Sequence, residues 1–535
     1  MSAAMSAAAA SAAASPPKWV MLERFVFRMD EAFPDEDKLP IRASGITRWE
    51  APFDIAFELA EPPAISRLYA RLPGFPDPLK QVPLAILASH QHLVLFRVCI
   101  EDDTFDLRQE LFIYSASDAD DPSKLKALPA CMDYPLHGGG RGGRRRRRRR
   151  PPPNKEQRPR LMAVRSMGIL CRDQQEFVVA ELRLFRPGRC PDPKVCAPEV
   201  FADIFWLHKL AVPTGAIEGK WNSCRVPIRS FCKKPDGNGI LGFENPDPDD
   251  TWQLCIWQTD TVIPVGRWLC WIDYYRGILF CDVFGDPTPT VSFLRFPLDE
   301  FPIRGKPSSW LYRGASDVGG RKLKFVDIAR HDGVGYGALK TSVGGFTITC
   351  HTLSLESMEW KKDYTVTSKE LWSANAPKDL PRHILMFPQV DIYRPHVVHF
   401  LCCDYEYVMM KMWVVTIDMS TRIVESCSQY LNGLADLHTD KIELTQVKSA
   451  FPLPFLSSEF SKFLSSARPW APAARVLTRA SVTAPSAASF KTHGLVDVLV
   501  CSGRPCTPAL RVLTRGLFAA PSSASFTPRG LVEVL

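Results

Sequence analysis

Two aspartates inside one apolar stretch are the first residues whose types and spacing could do chemistry. "WLCWIDYYRGILFCDVF", residues 268–284, carries Asp273 and Asp282 on either side of a Tyr-Tyr-Arg-Gly break. Paired carboxyl groups about 5–9.5 Å apart would suit glycoside hydrolysis. A turn over 274–277 would pair Asp273 with Ile278 and Asp282 with Leu269. The carboxylates then lie four rungs apart, roughly 13 Å at ~3.3 Å per residue, which disfavours a dyad. Asp273 is expected to accept from turn amides instead. Asp282 shares a face with Ile278, Phe280 and Phe284 and needs a buried partner or a water.

The other candidates are weaker. "GVGYGALKTS", 333–342, has Leu339 where a Walker loop needs glycine directly before the lysine. It reads as a flexible loop between blades. "GASDV" around Ser316 lacks the final glycine of a nucleophile elbow. His396 and His399 fall in a strand-like run, where i and i+3 point to opposite faces, so they make a poor metal pair. "NPDPDD", 245–250, lacks EF-hand spacing and reads as a solvated acidic loop. Cys190 and Cys196 stand in a Pro-rich loop without nearby histidines, which is not a zinc pattern. Cys99, Cys255, Cys270, Cys281 and Cys402 sit in apolar runs and read as small buried hydrophobes. No catalytic set, metal or cofactor is expected.

Charge points elsewhere. The net charge is +8, but residues 141–160 hold ten more positive than negative side chains and 460–535 hold seven more, leaving −9 for the rest. The basicity therefore belongs to two segments that do not read as folded, and it is no argument for nucleic-acid binding by the body. The run Arg144, Arg145, Arg146, Arg147, Arg148, Arg149 and Arg150 is the one strong local signal with a partner attached. Nuclear targeting or nucleic-acid contact is one reading of it. A solvated insert is the other, since the aromatic interleaving of single-strand binders is missing. The opening "MSAAMSAAAASAAASPPK" lacks the basic start and apolar core of a secretory signal. No run reaches the eighteen or so apolar residues of a membrane helix. The expected location is cytoplasm or nucleus, neither secreted nor transmembrane.

The elements that must position these residues are strands. Helical periodicity is nearly absent. Roughly twenty short runs rich in Val, Ile, Phe, Trp and Tyr recur between Pro, Gly, Asp and Asn. Such a pattern predicts an all-β body. So many strands exceed one open sheet, which leaves a propeller of four-stranded blades or tandem sandwiches. Three hairpins favour the propeller: the opening stretch, "FTITCHTLSLESMEWKKDYTV" and "MWVVTIDMSTRIVESC". The organisation expected is a disordered Ala/Ser leader over 1–18, a β body over 19–136 and 161–430, and a disordered Arg/Pro-rich insert over 137–160. A linker over 431–467 and a low-complexity tail over 468–535 complete it. In that tail 468–499 and 504–535 align at a period of 36 with 20 of 32 positions identical.

Several long segments occur in one order: the opening stretch, "VSFLRFPLDEFP", "KLKFVDI" and "GFTITCHTLSLESMEWKKDYTV". The whole resembles the plant family called domain of unknown function 1618, much expanded in grasses. "FDIAFELAEPPAISRLYARLP", "HLVLFRVCI" and "ELFIYSA" fit it too. The likeness runs over about 19–429 and is densest over 252–424. It implies a plant protein of unassigned biochemistry and carries no catalytic residues to transfer. The Arg insert and the duplicated tail depart from the family pattern.

These observations favour a non-enzymatic protein-interaction module with an unidentified protein partner. The alternatives are a propeller enzyme or a glycan or small-ligand binder with its site at the central channel, and a nucleic-acid-associated protein acting through the Arg run.

Overall fold

The computed structural model describes residues 16–30, 39, 41–76, 83–101, 107–117, 125–132, 159–174, 176–185, 200–210, 219–233, 241–285, 288–298, 309–335, 337–340, 344–375, 382–405, 409–430, 443–444 and 454–464. All lie in the first of two compact units, 1–474 and 475–535.

Short strands of β-branched and aromatic residues pair with their sequence neighbours, and the result is nearly all β. The first sheet holds β1 (Val20–Arg28), β2 (Ile41–Ile46), β3 (Pro52–Glu58) and β4 (Ile65–Arg71). Its order is β2-β3-β4-β1, with β4 and β1 parallel. The second is a meander of β5 (Leu84–His90), β6 (Leu93–Glu101), β7 (Leu107–Ser115) and β8 (Lys126–Ala127). The third holds β9 (Met167–Cys171), β10 (Glu176–Phe185), β11 (Phe201–Leu210) and β12 (Asn222–Lys233), with β13 (Leu241–Glu244) on the edge of β12. Helix α1 (Pro248–Cys255) leads to the fourth, β14 (Thr261–Val265), β15 (Trp268–Asp273), β16 (Gly277–Asp282) and β17 (Thr290–Arg295). A parallel pairing of β12 with β17 joins the third and fourth into one ladder. After α2 (Ser309–Tyr312) comes the fifth, β18 (Arg313–Val318), β19 (Lys322–Arg330), β20 (Phe346–Ser354) and β21 (Glu359–Thr367). After α3 (Ser368–Ala374) comes the sixth, β22 (Leu385–Val390), β23 (Val397–Tyr405), β24 (Met409–Asp418) and β25 (Ile423–Tyr430). Finally β26 (Glu443–Leu444) and β27 (Leu456–Ser458) pair antiparallel with β1.

The cores show how the sheets are arranged. One apolar cluster joins the first sheet to the second through Phe57, Phe96 and Tyr114. The next joins second to third through Leu95, Ile169 and Val179. Trp271, Leu279 and Ile204 join third to fourth. Phe280, Leu323 and Phe325 join fourth to fifth. The last contains Val326 of the fifth, Leu401 of the sixth and Met21 and Ile65 of the first. Sheet packs on sheet around a closed circuit, which is a β-propeller-like ring. Strands β15 and β16 are buried on both faces. In β16, Leu279 and Cys281 serve one neighbour and Ile278 and Phe280 the other. The opening stretch is therefore core.

Some expectations change. The turn in that stretch is one residue shorter than expected: Asp273 pairs with Gly277 and Leu269 with Cys281. Asp273 sits at one end of the hairpin and Asp282 at the other, where it pairs with Thr290, so the two carboxylates remain apart. The glycine-rich 333–342 stretch connects β19 to β20 within the fifth sheet and does not bridge two blades. Arg330 clamps it, bonding the Gly337 and Ala338 carbonyls and the Asp332 carboxylate. Residues 443–444 and 456–463, inside the expected linker, are part of the first sheet and its flank.

Candidate functional site

The ring topology sends one set of turns to the same end. β5, β9, β14, β18 and β22 are the first strands of their sheets and lie beside one another in succession. Each ends in a turn at a cavity of about 950 Å³, and the segment after β27 adds Glu459, Lys462 and Phe463. Five hairpins and the chain's return segment thus build one mouth of the central channel. Two of the turns touch. Gly266 has φ +57°, and a Cβ there would lie 2.5 Å from the Gly320 carbonyl oxygen.

The mouth contains groups that look reactive and are engaged otherwise. His90 and Cys171 line it side by side. The His90 ring takes a backbone proton, since Cys171 N–H donates to Nδ1 at 2.8 Å. That bond requires Nδ1 to be unprotonated, so Nε2 carries the ring proton. Burial pushes this imidazole down to about 4. The thiol of Cys171 points at the His90 carbonyl oxygen, 3.4 Å away, and burial pushes its pKa far up. A thiolate–imidazole nucleophile is therefore not assembled.

The charged lining is mixed. Arg172 pairs with Glu176 at 2.9 Å and lies 4.2 Å over the Phe284 ring. Arg267 faces Asp282 at 3.6 Å. Tyr393 donates to Glu459 at 2.6 Å, and Lys462 bonds the same carboxylate at 2.8 Å. Asp317 accepts from the Gly320 amide at 3.1 Å, while its Oδ1 is buried without a partner. Burial pushes this carboxyl up to about 6; the Gly320 amide pulls it back, and Glu459 adds to the rise. The mouth thus offers guanidinium, ammonium, carboxylate and aromatic groups within one hollow.

A second polar cluster lies at the other end of the first strands. Asp273 accepts from Gln258 and Tyr275 amides at 2.8 and 2.9 Å and pairs with Arg276 at 2.6 Å. Asp260, just before β14, accepts from the Tyr274 amide at 2.8 Å. Burial pushes Asp260 up to about 7, the Asp273 charge adds to it, and Arg165 and Arg276 oppose it.

The residues singled out by sequence are scattered over this frame. Asp273 accepts turn amides as expected, and Asp282 stands at the mouth with Arg267 as its partner. Ser316 is buried and accepts from Gln389 and the Val390 amide. His399 is buried against Thr416 and 3.6 Å from Asp391. The acidic 245–250 stretch is largely exposed, as expected, but it is not only a loop: Asp247 caps α1, and Asp247, Asp249 and Asp250 converge on Arg295. Arg144 to Arg150, Cys190, Cys196 and the duplicated tail lie outside the described residues. Among the described residues no group of three or more His, Cys, Asp or Glu side chains could hold a metal, and no helix is long and apolar enough to cross a membrane. His90, Arg172, Asp317 and Glu459 were not legible as a site, because each comes from a different sheet.

Fold and mouth together define a β-propeller-like protein with a polar channel opening. Residues 271–399 match the family model described as a protein of unknown function (DUF1618). No curated protein matches it.

Proposed function

We propose that this chain is a non-enzymatic interaction module that docks a segment of a partner protein in the channel mouth. The observation that carries the reading is the convergence of five inner turns and the 459–463 segment on one hollow lined by both charge signs and by Phe284, Tyr393 and Phe463. Its ionic groups are already paired with one another at the rim, where they select a partner by complementarity. The thiol–imidazole neighbours are held in unreactive states, which supports binding over chemistry. A cavity of about 950 Å³ also falls at the upper end of small-ligand sites, so a polar small molecule is the second reading.

The test is purification of the tagged chain from its own tissue in high salt, beside an Arg172→Glu/Arg267→Glu variant. A stoichiometric protein partner held by the parent and lost from the variant supports the reading. A partner held equally by both, or none at all, overturns it. A ligand-dependent thermal shift in a metabolite screen would assign the mouth to a small molecule instead.

A further inference from the structure

The cations of the mouth are matched, and one carboxylate is not. Arg172 faces Glu176 at 2.9 Å, Arg267 faces Asp282 at 3.6 Å and Lys462 faces Glu459 at 2.8 Å. Asp317 lines the same cavity, and among the described residues no cation pairs with it. Its Oδ2 accepts the Gly320 amide at 3.1 Å, while its Oδ1 is buried with no hydrogen-bond partner. A carboxylate oxygen withdrawn from water and left unmatched is costly. The χ2 torsion of aspartate is soft, so the carboxylate can turn to bring that oxygen to a ligand.

The surroundings favour positive charge. The lining holds the carboxylates of Asp173, Asp282, Asp317 and Glu459 against only three cations. Glu459 is close enough to raise the Asp317 carboxyl, which at about 6 is still mostly ionised above neutral pH, and the His90 ring of the lining is neutral there. Outside residues 141–160 and 460–535 the chain carries −9, which draws a basic segment toward the body.

The wall beside Asp317 is bare backbone. Gly319 and Gly320 follow it with φ +65° and +68°, and both line the cavity with Gly266 of the neighbouring turn. A Cβ at Gly319 would meet nothing within 4 Å, so space is open over this turn. Ile392, Tyr393 and Phe463 supply apolar surface to the same cavity. A long aliphatic stem can lie on such surface while its charged end meets a carboxylate, and an exposed phenol ring attracts a cation too.

Taking the mouth as a peptide-docking site, we propose that Asp317 anchors the partner's segment by one lysine or arginine side chain, with Glu459 as the second carboxylate. The inference rests on the docking reading and adds to it the chemistry of the segment that docks.

The experiment is panning of a phage library of random dodecapeptides on the tagged full chain, followed by titration of the selected peptides. They should share one Lys or Arg at a fixed place. Asp317→Asn should weaken them at least tenfold. The asparagine oxygen still accepts the Gly320 amide, so the melting temperature should hold or rise. Replacing the shared basic residue by Gln should cost as much, and both changes together little more than either, because the same contact is lost. Exchanging Lys for Arg there separates an ammonium ligand from a guanidinium by which binds tighter. Glu459→Gln, expected to weaken binding several-fold, reports on the anchor if Asp317→Asn does not fold. Peptides that bind Asp317→Asn as tightly as the parent, or that share an acidic residue instead, overturn the anchor. If Arg172→Glu/Arg267→Glu still releases such peptides, docking at the mouth stands without it. No peptide selected, or peptides indifferent to all of these variants, overturns both.

Discussion

Asp260→Asn should stabilise this protein at neutral pH and above. In the folded chain, burial and the Asp273 carboxylate push the Asp260 carboxyl up to about 7. An unfolded aspartate loses its proton near 3.9. Between these values the folded state binds more protons than the unfolded one. Stability from this group is therefore full below about pH 4 and falls as pH rises through 7. A shift of about three units corresponds to about 4 kcal/mol at ~1.36 kcal/mol per unit, and this already includes the opposing attraction of Arg165 and Arg276. Sharing of the proton with Asp273 reduces what one substitution recovers, so a gain of about 2–4 kcal/mol at pH 8 is expected. The asparagine oxygen can still accept the Tyr274 amide, which isolates the charge. Urea unfolding followed by tryptophan fluorescence at pH 5, 6, 7 and 8, for parent and variant, gives the difference directly. The gain should shrink steadily with falling pH, to roughly a third of its pH 8 value at pH 5. A variant equally stable or weaker at pH 8, or a difference flat across the range, refutes the reasoning.

Three further outcomes test how the ring is held. Trp271 is fully buried between the third and fourth sheets and donates to the Ser166 carbonyl at 2.8 Å. Trp271→Phe should cost about 2–3 kcal/mol in urea unfolding, from lost ring volume and an unpaired carbonyl. Gly266→Ala should cost at least about 2 kcal/mol, since it adds a left-handed penalty to contact with the Gly320 carbonyl. A fall in melting temperature of a degree or less would contradict the close approach of those turns. Thr367 and Glu370 form a reciprocal cap on α3, so Thr367→Ala should cost about 1 kcal/mol, and hydrogen exchange should quicken in α3 before it quickens in β20.

The strands that fill the core were legible because β-branched and aromatic residues cluster there; β16 and β24 are plain in the sequence. The strands lining the channel were harder. β18 reads "RGASDV", small and polar, because a first strand packs close to its neighbour: a side chain at Gly314 would collide with the Pro388 carbonyl of β22. β22, "LMFPQV", carries an irregular register between Met386 and Gln389, which breaks the alternation that signals a strand. β27 is three residues long in a stretch without any strand pattern, and only its pairing with Val20, Met21 and Leu22 reveals that it closes the first sheet. The ion pairs of the acidic 245–250 stretch were not legible because their partner, Arg295, is supplied by β17 across the sheet.

The same geometry explains why no local motif announced the mouth. A ring of sheets gives each blade one turn at each end of the channel, so a site there draws a residue or two from every blade. The matched segment 271–399 begins inside β15 and ends inside β23. Cut there, the fourth sheet would lose β14 and half of β15, and the sixth would lose most of β23 and all of β24 and β25. The exposed edges and the apolar side chains of Met386 and Val398 would lose much of what they bury against. The folding unit must therefore extend well beyond the matched residues on both sides. Asp282, Phe284, Asp317 and Tyr393 of the mouth come from inside the match, while His90, Arg172, Arg267, Glu459 and Lys462 come from outside it. Every ion pair described at the mouth with Arg172, Arg267 or Lys462 thus has its cation outside the matched segment. Exchanging those three cations alone should alter what the mouth binds while leaving the matched segment's own core contacts in place.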